Sequence, residues 1–206
     1  MTVIDESDQC LESKQSLFIL SDNLVNSTKK IIASAKTEEE LRIGFERNLN
    51  PLLESIGIKT MPHYERLSEE AKTIYSGRPD AVHGEIIIEY EPPGAFNSKS
   101  AVLHAQNQLI SYMKAEYQAF KADPIGRINR LVGVGFDGNK IFFIRYLPKK
   151  GQAIPSIENL EFELIGPYPF NQDSARTFLM HLRSLARLPL TAQNLSEKFG
   201  PRQEIA

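Results

Sequence analysis

Three carboxylates near the middle of the chain are the residues best placed to do chemistry. They lie in the run Ser76–Pro93, SGRPDAVHGEIIIEYEPP. Glu85 to Glu91 reads as a strand, because isoleucine and tyrosine suit a pleated, half-buried surface. Side chains alternate along a strand, so Ile86, Ile88 and Tyr90 share one face, and Glu85, Ile87, Glu89 and Glu91 share the other. Isoleucine on both faces predicts a central strand covered on both sides. Carboxylates on such a strand must protonate, pair with bases or bind a cation. Asp80 comes from a short preceding strand, with His83–Gly84 read as the hairpin turn. That register makes Asp80 the diagonal neighbour of Glu89, roughly 7 Å away. Oxygen-only ligands suit a hard cation, Mg2+ or Mn2+. The competing reading is an edge hairpin with solvated charges, which the triple isoleucine disfavours.

The elements around this hairpin follow from periodicity. Residues 1 to 12 are acidic and poor in apolar anchors, which predicts a weakly held segment. Leu17, Leu20, Leu24, Ile31 and Ile32 predict a helix within 13–35. Thr37 and Glu40 form a capping box that starts a second helix, whose stripe is Leu41, Phe45, Leu49, Leu52, Leu53 and Ile56. Pro51 should kink that helix, or end it near Asn48 and restart it. Glu46 lies at the edge of the stripe. It either faces the sheet or is a surface glutamate. Residues 58–66 read as a strand. Pro92, Pro93 and Gly94 stop the core strand, and 98–120 reads as a long helix. On it Gln108 and Tyr112 share a face, with His104 one turn earlier, most simply a surface histidine. Residues 131–136 and 140–146 read as a hairpin around Asp137-Gly138-Asn139. Gly133, Gly135 and Gly138 spell G-x-G-x-x-G, but they lead into a strand-to-strand turn. Dinucleotide binding is therefore rejected, and close packing under a helix is expected instead. A strand at 159–165 ends at Gly166-Pro167. A helix follows to about Leu188, and Thr191 to Gly200 reads as a short capped helix.

Composition narrows the class. The chain has 206 residues, 41% hydrophobic and 24% charged, with net charge −2 and one cysteine. That is enough chain for one substantial core. A lone Cys10 excludes internal disulfides and cysteine-based zinc sites, and it suits a reducing, cytoplasmic setting. No apolar run approaches the roughly 20 residues that span a bilayer. The N-terminus does not read as a signal peptide. Charge is uneven: residues 1–40 hold eight acids and four lysines, whereas 121–150 hold seven basic residues and two acids. The basic part follows the carboxylates and suits phosphates, or is an ordinary lysine-rich surface. A metal-free acid pair acting on sugars is disfavoured, since the two glutamates stand on one strand and the chain has no tryptophan for stacking.

The core stretch resembles the motif of the PD-(D/E)xK nuclease superfamily. Pro79-Asp80 matches its first half. Glu89-Tyr90-Glu91 matches its second, with Glu91 where the family usually has lysine. The Gln108-x-x-x-Tyr112 helix is similar to that of RecB-like members. The tail from Pro189 resembles the connector after the N-terminal nuclease domain of large restriction-modification proteins, in which a DNA methyltransferase and a target-recognition part follow. The resemblance covers roughly residues 37–201. It implies a restriction-endonuclease-like α/β core, with a mixed sheet of about five strands flanked by helices. It divides the chain into an acidic segment and helix at 1–36, a nuclease-like domain at 37–188 and a connector helix at 189–206. It further implies Mg2+-dependent DNA hydrolysis, with Asp80 and Glu89 as metal ligands and Glu46 as the third. Glu91 would act as proton acceptor or recruit a second metal, and active members with glutamate there are known. Gln108 and Tyr112 would position water or a phosphate oxygen. Arg78, Lys99, Arg127, Arg130 and Lys140 are the candidate nucleic-acid contacts. The alternative within the resemblance is a silent DNA-binding or scaffold domain. Implied partners are DNA, a methyltransferase or target-recognition part, no membrane, and a second copy where both strands are cut.

Overall fold

The computed structural model describes residues 6–55, 58, 63–64, 78–148 and 155–185. Among the described residues, six strands form one mixed sheet in the order β1-β2-β3-β4-β5-β6. They are β1 His63–Tyr64, β2 Ala81–His83, β3 Ile86–Tyr90, β4 Val132–Phe136, β5 Lys140–Tyr146 and β6 Phe162–Pro169. Only β3 and β4 are parallel; every other pair is antiparallel. Five α-helices among the described residues flank the sheet: α1 Glu6–Ile32, α2 Glu38–Ser55, α3 Lys99–Ala119, α4 Pro124–Arg130 and α5 Gln172–Leu185. The protein is therefore an α/β fold with helices on both sheet faces.

The two faces of β3 hold two cores. Ile86, Ile88 and Tyr90 pack with Phe45, Leu49, Phe136, Phe143 and Phe178, under α1, α2 and α5. Ile87 packs with Leu109, Tyr112, Phe142 and Ile144, under α3. All five β3 residues are buried, as a strand apolar on both faces requires. The parallel β3–β4 pair needs a crossover, which α3 and α4 supply. Gly133 of β4 makes room for it, and Gly135 makes room for a side chain of the neighbouring strand β5. A Cβ on Gly133 would come within 3.3 Å of Leu109 Cβ on α3, and one on Gly135 would collide with the Phe142 ring.

Several boundaries differ from the sequence reading. Helix α1 begins at Glu6, so the backbone of residues 6–12 is helical rather than weakly held. Helix α2 runs through Pro51 without ending. Proline there removes a single donor late in the helix, while Phe45, Leu49 and Leu53 still hold one buried stripe across it. The capping box is present: Glu40 N–H donates to Thr37 Oγ1 at 3.2 Å, and Thr37 N–H to Glu40 Oε2 at 3.3 Å. Helix α4 was not anticipated. Asp123 caps it, accepting from Gly126 N–H at 2.8 Å, and Pro124 opens it. Strand β6 begins later than expected and passes through Gly166-Pro167. Among the described residues it is an edge strand, where a missing N–H costs no ladder bond on the outer side. Of the strand expected at 58–66, His63–Tyr64 is described as strand. The helix at 191–200 and the connector at 189–206 lie outside the described residues, as do Lys149 and Lys150.

Candidate metal-binding site

The β2–β3 hairpin turns one residue later than the sequence suggested. His83 pairs with Ile86, so Gly84 and Glu85 form the turn, with Gly84 at φ 63°. The reason lies in His83. Instead of sitting in the turn it is fully buried, with Nε2 3.1 Å from both carboxylate oxygens of Glu46. Because Ala81 pairs with Ile88, Asp80 stands level with Glu89 rather than diagonal to it. Asp80 Oδ2 accepts the Tyr90 N–H at 2.7 Å, which fixes that carboxylate against the end of β3.

Glu89 lies opposite Gly135 in the β3–β4 ladder, on the face covered by α3. It is 6% exposed, and its Oε2 has no hydrogen-bond partner among the described residues. Burial pushes its pKa up to about 9, and the nearby charges of Asp80, Glu38 and Glu91 push the same way. Burial likewise lifts Asp80 to about 6; the Tyr90 N–H and Arg42 oppose the rise, and Glu38 and Glu39 add to it. Glu91 follows at the strand exit, half-buried, its N–H donating to Phe136 O at 3.0 Å. Its pKa is raised, first by burial and then by Asp80 and Asp137, against the opposing charge of His104.

The helix-borne acid at this site is Glu38, not Glu46. Glu38 lies in the first turn of α2, and its pKa is raised by burial and then by Glu91. Glu46 sits two turns further on and faces the opposite side of β3. There it accepts the Tyr90 hydroxyl at 2.7 Å and pairs with His83. Tyr90 and Glu89 are neighbours on one strand, so their side chains leave by opposite faces, and Glu46 does not reach the acids. The acids opening α2 were legible only as dipole complements. Their approach to β3 depends on how α2 crosses the sheet. Arg42, one turn after Glu38, also went unnoticed. It donates to the Asp80 carbonyl at 3.3 Å and pairs with Glu39 at 2.6 Å.

Helix α3 covers the site as expected from its position, but Tyr112 has a specific partner. Its buried hydroxyl donates to the Arg78 carbonyl at 2.9 Å, which holds the chain leading into Asp80. Gln108 is half-buried one turn earlier, and His104 is exposed. Among the basic candidates, Arg78, Lys99 and Arg130 are exposed. Lys140 Nζ donates to the Phe96 carbonyl at 3.2 Å. Arg127 lies between two carboxylates: it bonds Glu85 in the hairpin turn and Glu116 on α3, the latter at 2.7 Å. Its guanidinium braces the hairpin from α4 rather than projecting as a phosphate contact.

Among the described residues, no group of three or more His, Cys, Asp or Glu side chains is already gathered tightly enough to hold a metal ion. Asp80 and Glu89 nonetheless offer the donor chemistry of a hard cation: oxygen donors only, one unpartnered and buried. No described helix is long and apolar enough to cross a membrane. Comparison with protein-family models, with curated proteins and with solved structures returned no match.

Proposed function

We propose that this chain is a restriction-endonuclease-like domain that hydrolyses DNA with a divalent cation, Mg2+ or Mn2+, in a restriction-modification system. The observation that carries the reading is the buried, unpartnered carboxyl of Glu89 level with Asp80, at the end of the central hairpin. Such a pair is unfavourable unless something positive joins it. Asp80 and Glu89 would hold the cation, with Glu38 and Glu91 near enough to act on them electrostatically. When bound, that cation supplies charge neutralisation at phosphorus and lowers the pKa of a coordinated water.

The remaining work falls to the chain's own side chains. Glu91, where the family usually has lysine, cannot supply a positive charge. Burial raises the pKa of Glu91, and a carboxylate with a raised pKa is a better proton acceptor, so Glu91 takes the proton of the attacking water. Tyr112 is a positioning residue, because its hydroxyl holds the Arg78 carbonyl and so the approach of Asp80. Gln108, half-buried one turn earlier on the same helix, would position water or a phosphate oxygen. Exposed Arg78, Lys99 and Arg130 meet the DNA backbone. Target choice would come from a separate methyltransferase or recognition part, and double-strand cutting from a second copy. The setting is the cytoplasm, where such DNA is met.

The test is nicking of supercoiled plasmid with magnesium and, separately, manganese, for wild type and Glu89→Ala. Metal-dependent nicking lost in the variant supports the reading. Nicking that persists undiminished in Glu89→Ala overturns it. DNA binding without any cleavage would instead favour the silent scaffold, which the glutamate at position 91 makes the second reading.

A further inference from the structure

The site occupies one face of β3. On the other face lies a buried polar cluster that the chemistry above does not use. Glu46 is 3% exposed, His83 is 0% and Tyr90 is 1%. They sit beside Phe45, Phe136 and Phe170, in the larger apolar core. One carboxylate gathers both partners: the Tyr90 hydroxyl donates to Glu46 Oε1 at 2.7 Å, and His83 Nε2 lies 3.1 Å from each oxygen. His83 Nδ1 is buried with no partner among the described residues. Polar groups in such a place are weak sources of stability, since apolar residues of similar volume do as well or better. Their cost calls for a structural return.

We propose that Glu46, His83 and Tyr90 form a positioning clamp that fixes Asp80 and Glu89 from behind the sheet. The connection runs through Tyr90. Its ring is held by Glu46, its own N–H holds Asp80 Oδ2 at 2.7 Å, and its preceding residue is Glu89. His83 is three residues after Asp80 on β2 and sets the hairpin turn at Gly84–Glu85. Glu46 is on α2, the helix whose first turn brings Glu38 to the acids. One carboxylate therefore ties together the three elements that carry the site. A one-residue slip of the hairpin would send Glu89 to the wrong face, and His83 at the Glu46 carboxylate opposes that slip.

The cation-binding part of this inference rests on the function proposed above; the geometric part does not. The test uses the full chain and two variants: Tyr90→Phe, which removes one hydroxyl, and the all-apolar Glu46→Leu/His83→Leu/Tyr90→Phe. Circular dichroism and thermal unfolding establish that each folds. Amide hydrogen exchange then compares the Tyr90 N–H with that of Ile88 on the same strand. The clamp predicts that exchange of the backbone N–H at position 90 rises at least tenfold relative to Ile88 in both variants. A uniform change along β3, or none, overturns it and leaves the cluster a packing feature. Calorimetric titration with manganese adds a second readout: the clamp predicts affinity at least tenfold weaker in the folded triple variant. Unchanged affinity there overturns the positioning role. If wild type itself binds no manganese, the metal-site reading fails, and the exchange experiment still decides the clamp. Should the triple variant not fold, Tyr90→Phe carries both measurements.

Discussion

Replacing Glu89 by glutamine should alter the way stability depends on pH. The carboxyl ionises near 4.5 in the unfolded chain and near 9 in the folded one, chiefly because it is buried. Between those values the folded state binds the extra proton, so stability falls as pH rises, by 1.36 kcal/mol per pH unit. From pH 4.5 to 7.5 the Glu89 contribution amounts to about 4 kcal/mol. Asp80, raised to about 6, adds a further loss between roughly pH 4 and 6. Glutamine keeps the shape and binds no proton, so the Glu89 share of the slope vanishes. The amide imposes its own constant packing cost, and the informative quantity is therefore the difference between variant and wild type at each pH. Urea unfolding followed by circular dichroism, with chelator present, should show Glu89→Gln gaining about 4 kcal/mol on wild type between pH 4.5 and 7.5. A gap that is constant with pH, or one that moves against the variant as pH rises, would refute the argument that burial holds this carboxyl protonated.

Three further outcomes follow from the same geometry. Magnesium or manganese at about a hundredfold above its dissociation constant should stabilise the wild type by about 2.7 kcal/mol, a rise in Tm of roughly 5–10 °C; Asp80→Asn and Glu89→Gln should abolish that rise in a melting experiment. Arg127→Met withdraws the cation from Glu85 and Glu116 together and should cost about 3–5 kcal/mol in urea unfolding; a loss under about 1 kcal/mol would mean that the ion triad does not brace the hairpin. Asp137 is fully buried and accepts the N–H groups of Phe96 at 2.8 Å, Asn139 at 2.9 Å and Lys140 at 2.6 Å. Asp137→Ala should therefore cost about 3 kcal/mol or more, with faster amide exchange at those three positions and not at Ile144.

What could be read from the residues depended on the range of the interaction that decides each feature. Ile86 to Ile88 announce a doubly covered strand because burial on both faces is written in consecutive side chains. The β4–β5 hairpin is announced in the same way by Asp137-Gly138-Asn139, whose turn chemistry is local. The close packing of Gly133 beneath a helix was legible for the same reason, whereas Gly135 makes room for the Phe142 ring of the neighbouring strand, a contact between strands rather than with a helix. The hairpin turn was misplaced by one residue, which moves the partner of Asp80 by two and keeps its face, since the deciding contact is between His83 and Glu46, which are 37 positions apart. Glu46 and Glu38 share a helix. Which of them reaches the acids is set by how α2 crosses the sheet, and helical periodicity does not encode that. Arg127 looked like a phosphate contact because its partners, Glu85 and Glu116, are distant in sequence. Helix α4 was legible after all, in Asp123 followed by Pro124, an N-cap and first-turn proline that went unread.

A cation that binds at this site must displace the proton of Glu89. Calorimetry with manganese at pH 7.5, repeated in buffers of different ionisation enthalpy, counts the protons released on binding. A carboxyl with a pKa of about 9 is protonated at that pH in the free protein, so wild type should release close to one proton per ion. Glu89→Gln should bind far more weakly and release none. Binding that releases no proton, or that survives Glu89→Gln unchanged, would contradict the claim that Asp80 and buried Glu89 form the metal site.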